Sequence, residues 1–74
     1  MLKEMQNKRF IKKLEKIRTL RIEDYSDYYN SLEISFKAVD KIAMQVCDLC
    51  NKFKLGFKTT YCEENTLYMA IYLK

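Results

Sequence analysis

In seventy-four residues there is no proline and one glycine, Gly56. These two residues interrupt helices and strands most sharply, so a chain almost without them is expected to be regular structure for most of its length. The length allows one domain, read as 1–74, and a domain of this size buries only about 60% of the surface its unfolded chain exposes. Self-association, or ordering against a partner, would add to so small a core.

Hydrophobic spacing gives the elements. Over 1–22, Phe10, Leu14 and Ile17 recur at helical intervals with Ile11 beside them, which predicts an amphipathic helix from about residue 2 to about residue 22. Lys8, Arg9, Lys12 and Lys16 project together on the opposite side of that helix. Residues 23–30 lose the period and gather acidic, aromatic and turn-forming side chains, which predicts a connector. Its Tyr28 and Tyr29 either lie back on the core or form a binding loop, tyrosine giving large contact area for little entropy.

From Leu32 two readings compete. Leu32, Ile34 and Phe36 alternate with Glu33, Ser35 and Lys37, as in a half-buried strand. Yet Leu32, Phe36, Val39, Ala43, Val46, Cys50 and Phe53 also form a three-and-four series, as in one long helix. Ile34 separates the two, because the helix would leave it beside Lys41 and Gln45 in water. The preferred reading is a strand over 31–36 and a helix over 38–54, with Val39, Ile42, Ala43, Val46, Leu49, Cys50 and Phe53 inward and Gly56 marking the helix end.

The remainder alternates as a β-hairpin over 57–62 and 66–73. A two-residue turn at Glu64-Asn65 would set Cys62 opposite Leu67 and bring Lys58 onto the apolar face. A three-residue loop, Glu63-Glu64-Asn65, sets Tyr61 opposite Leu67 and Thr59 opposite Met69, and is expected, with Asn65 left-handed. The fold class is therefore α+β: two helices packed on a small, mostly antiparallel sheet in the order α-β-α-β-β. The alternative is two long helices plus the C-terminal hairpin.

Little in the composition can make or break bonds. There is no histidine, the usual base for an activated nucleophile, and one glycine is too few for a phosphate-cradling loop. Glu63 and Glu64 diverge on a turn. Cys47 and Cys50 have the spacing of half a zinc site, but only Cys62 remains to join them, and structural zinc takes four ligands. Both read better as small apolar side chains in a helix, so no catalytic residue, metal or cofactor is expected. An odd cysteine number and the lack of a secretory-type segment point to a reducing, cytoplasmic setting, and no stretch is apolar enough to span a membrane.

Charge is uneven. Residues 1–22 carry eight basic and two acidic side chains, the rest six and eight, so the net +4 divides as +6 and −2. The stripe Lys8, Arg9, Lys12 and Lys16 is thus a candidate for contacting phosphate or an acidic surface. Tyr68 and Tyr72, with Lys58, are expected on the sheet face away from Leu67, Met69 and Ile71. They form an aromatic, cationic patch of interface composition unless the first helix packs over them. Met44, projecting from the wet side of the second helix, is expected with that patch to contact the partner, as are Tyr28 and Tyr29.

These features describe a small non-catalytic protein-binding module whose partner is a larger host protein or ribonucleoprotein. Small size, a Lys-, Ile-, Tyr- and Asn-rich composition and the absence of chemistry resemble the inhibitors that phages and mobile elements carry against host defence complexes, anti-CRISPR proteins among them. The likeness is one of size and composition and rests on no residue. Two other readings are a basic nucleic-acid-binding regulator and a homo-oligomeric structural subunit.

Overall fold

The computed structural model describes residues 8–26 and 31–73, with backbone alone for Lys8, Tyr25, Ser26 and Leu73. The elements are α1 (Lys8–Glu15), β1 (Arg21–Ser26), β2 (Ser31–Lys37), α2 (Asp40–Lys52), β3 (Leu55–Glu63) and β4 (Thr66–Leu73). The class is α+β as expected, but the order is α-β-β-α-β-β: a strand stands where the sequence suggested the end of a helix and a connector.

α1 buries Phe10 and Leu14 and turns Arg9, Lys12 and Lys13 to solvent. It stops at Glu15, well short of residue 22. The amides of Lys16 and Ile17 donate to the carbonyls of Lys13 and Leu14, three residues back, which tightens the last turn. Thr19 then takes φ 68°, a left-handed value that a helix cannot pass through and that a β-branched residue seldom adopts. Its hydroxyl accepts a hydrogen bond from the Lys37 amide at 3.0 Å, tying this corner to the end of β2.

Beyond Thr19 the chain is extended, and Ile22 pairs with Ile34 across β1 and β2. The polar run that follows has weak strand propensity by itself; the ladder with β2 supplies what local preference lacks. Glu23 is the extra residue of a β-bulge between Ile22 and Asp24. Residues 27–30, and with them Tyr28 and Tyr29, lie outside the described residues.

β2 resolves the ambiguity at Leu32 in favour of the strand. Leu32, Ile34 and Phe36 are all buried, and β2 pairs on both sides in a four-stranded sheet of order β1-β2-β4-β3. A helix there would have left Ile34 in water. Since β2 and β3 each run antiparallel to β4, they run parallel to each other. α2 joins them, a split β-α-β unit with β4 between its strands.

α2 buries Ile42, Val46 and Cys50 against the sheet. Ala43, Leu49 and Phe53 are half-buried, whereas Val39, expected inward, is exposed because it is the extended residue before the first turn. The helix ends at Lys52, and just beyond it Lys54 takes φ 56° while its amide donates to the Asn51 carbonyl. Gly56, expected to mark that end, instead lies inside β3 without positive φ. The Phe10 and Phe53 rings meet edge to face, centroids 5.2 Å apart, and join the two helices. One core thus forms between both helices and the inner face of the sheet, where Leu55, Met69 and Ile71 join the β2 residues.

The β3–β4 hairpin combines both registers weighed from the sequence. Glu63 pairs with Thr66 and Cys62 with Leu67, so the turn has two residues, Glu64 and Asn65. Glu64, and not Asn65, has positive φ. Thr60 is then an extra residue between Thr59 and Tyr61, and this bulge returns Thr59 to its place opposite Met69. Lys58 stays off the apolar face, as the three-residue loop required, but Tyr61 is carried to the opposite face from the one expected.

Candidate interaction surface

Each described helix packs on the inner face of the sheet, and no described element covers the outer one. The ladders place its side chains in rows across the strands. One row runs Asp24, Glu33, Ala70, Lys58 and the next Arg21, Ser35, Tyr68, Tyr61; Ser31, Tyr72 and Gly56 form a third. Tyr68 and Tyr72 are half-buried, and Ala70, two residues from each, is buried at the floor of the trough between them. Tyr61 is 56% exposed and tilts against Tyr68 with ring centroids 5.7 Å apart.

Sequence reasoning therefore placed Tyr68, Tyr72 and Lys58 on one face, and the structure brings them together there. It missed Tyr61, which parity assigned inward: no local signal marks a bulge, and only the pairing partners reveal it. Also absent from the sequence-based set is a polar cleft of about 380 Å³ at the end of this face, with Arg21, Glu23, Lys37, Thr66 and Tyr68 among its walls. At its base Ser35, buried though polar, donates a hydrogen bond to a Glu23 carboxylate oxygen.

Charges on the face are mixed. Arg21, Lys37 and Lys58 lie among Glu23, Asp24, Glu33 and Glu63, so no strong field of either sign arises. Both outer strands, β1 and β3, are bulged, which twists an edge and hinders another strand from adding to it. The open face, more than either edge, is the surface available for a flat contact.

The other candidate residues lie elsewhere. Met44 is 62% exposed on α2, in the helical layer, and so does not belong with the tyrosines. Arg9, Lys12 and Lys16 are exposed on that same layer, although Lys16 follows the last helical residue; of Lys8 only the backbone is described. One flat partner surface cannot touch the aromatic face and the basic residues together, because the sheet lies between them.

Cys50 is buried and its thiol is pushed up to about 12, by burial first and then by neighbouring Cys47. Burial, and next the Asp48 carboxylate, raises Cys47 as well. Both are therefore poor thiolates, and Cys62 is exposed on a different element. Among the described residues no helix is long and apolar enough to cross a membrane.

This architecture defines a small α+β domain with one layer of helices on an antiparallel sheet whose second face is covered by no element among the described residues. No protein-family model, curated protein or solved structure matches the chain.

Proposed function

We propose that the chain is a non-catalytic protein-binding module that docks through the open sheet face. The observation that carries this reading is the aromatic cluster there, Tyr61, Tyr68 and Tyr72 around buried Ala70, on a sheet that the described helices cover on one side only. Tyrosine is a favoured anchor at interfaces because it buries much apolar surface yet keeps a polar tip. The mixed charges around the cluster suit a protein surface better than a phosphate backbone, which calls for a net positive track. Two narrower readings rest on composition and on the basic residues of the first helix and its end: an inhibitor directed at a host nucleic-acid-processing or defence complex, and direct nucleic-acid binding by Lys8, Arg9, Lys12 and Lys16.

The test is affinity capture from cells in which the chain is native, with and without nuclease. Wild type is compared with Tyr61→Ala/Tyr68→Ala and with Lys12→Glu/Lys16→Glu. A protein that survives nuclease and is lost with the tyrosine pair supports the reading. Capture abolished by nuclease favours nucleic acid, and concentration-dependent melting with no captured protein favours a homo-oligomer.

A further inference from the structure

On the helical layer, across the sheet from the tyrosines, a groove of about 390 Å³ lies between α1 and α2. Lys13, Lys16 and Ile17 form one wall; Gln45, Asp48, Leu49 and Lys52 form the other. The second wall follows helical spacing, so four side chains of α2 stand in one ridge. Ile17 and Leu49 are half-buried, each keeping apolar surface toward the opening, while Lys13, Lys16 and Lys52 are exposed around them. Asp48 is the one acidic residue in the lining.

We propose that this groove is a second docking site, which seats an acidic amphipathic segment of a partner protein. An apolar side chain of that segment rests on Ile17 and Leu49, and its flanking carboxylates meet Lys13, Lys16 and Lys52. Charge complementarity selects an anionic occupant, since three ammonium groups outnumber one carboxylate around the opening. The aliphatic floor selects a peptide over a nucleic acid: phosphates gain nothing from Ile17 and Leu49, no ring in the lining can stack a base, and Asp48 repels a uniform row of phosphates. A helix with apolar residues at helical spacing fits such a groove by the mode other amphipathic helices use. Asp48 further sets orientation, because a partner carboxylate beside it is disfavoured and a polar or basic side chain is not.

The site is separate from the sheet face, so its test is independent. A fluorescent synthetic peptide of glutamates with leucines at helical spacing is titrated into the full chain, beside a scrambled peptide of identical composition and a single-stranded RNA. The leucine-striped peptide is expected to bind best, with affinity falling as salt rises. Lys13→Glu/Lys16→Glu/Lys52→Glu, all surface changes, should weaken it about ten-fold or more at low salt. Leu49→Gln, checked for an unchanged melt, should bring the striped peptide down to the level of the scrambled one. Amide shifts on titration should fall at Lys13, Ile17, Leu49 and Lys52. Equal binding of the two peptides, preference for the RNA, or shifts confined to Tyr61 and Tyr68 would each overturn the proposal.

Discussion

The ring of Tyr72 lies across β4 and β3 on Gly56, in the volume that a β-carbon at position 56 would occupy. Gly56 needs no unusual φ, so glycine is present there to make room. An aromatic ring seated on a cross-strand glycine covers backbone that would otherwise stand bare in the sheet.

The pair makes a prediction whose sign depends on context. Gly56→Ala forces the ring off its seat and should cost about 1 kcal/mol or more. That outweighs the gain of about 0.4–1 kcal/mol from a stiffer unfolded chain. In a Tyr72→Ala background only the gain remains, so the same substitution should become stabilising. Urea unfolding of the four proteins of this cycle decides it, and simple additivity would refute the seating.

Thr60 offers a second test. Its deletion leaves Thr59 opposite Met69 and Tyr61 opposite Tyr68, so every side chain keeps its face and the fold should survive. What changes is the edge: without the bulge β3 is flatter and can accept another strand. Sedimentation at rising concentration should show more self-association than wild type, while far-ultraviolet dichroism stays the same.

The cysteines should differ in chemistry. Toward an alkylating reagent at neutral pH, exposed Cys62 should react first, Cys47 more slowly, and Cys50 only when the protein opens. Cys50 keeps its proton up to about 12 in the fold against an ordinary 9.0. Its contribution to stability is therefore complete below pH 9 and declines as pH rises toward 12, because the unfolded chain releases the proton first. Denaturant midpoints measured across that range should fall for wild type and fall less for Cys50→Ala. Cys50→Ser should cost about 1–3 kcal/mol at neutral pH by burying a hydroxyl without a partner.

Ser35 connects the central strand to the bulge of β1 by donating to Glu23. Ser35→Ala should lower stability by about 0.5–1.5 kcal/mol, measured by thermal melting. Hydrogen exchange should quicken at the amides of β1 more than at those of β4, since only the β1 connection is lost.

Several elements could be read locally. β2, α2 and the β3–β4 hairpin each carry their own period of apolar residues, and Ile34 alone separates strand from helix because its burial suits one period and not the other. β1 carries no such signal: Ile22 is its one aliphatic residue, and the acidic run after it resembles a loop. Its strand character comes from the ladder with β2, a partner nine or more residues away for most of its length.

Apolar periodicity by itself determined that the chain is α+β, which residues of β2, α2 and β4 enter the core, and that Tyr68, Tyr72 and Lys58 share a sheet face. The tertiary structure decided where α1 stops, that β1 exists, that Tyr61 joins the other tyrosines, and that Met44, Arg9, Lys12 and Lys16 stand on the far side from them. The physical reason is range. Burial period is a property of spacing within one element, whereas bulges, strand partners and the choice of layer depend on hydrogen bonds and contacts between elements, and these leave no mark on the spacing within either one.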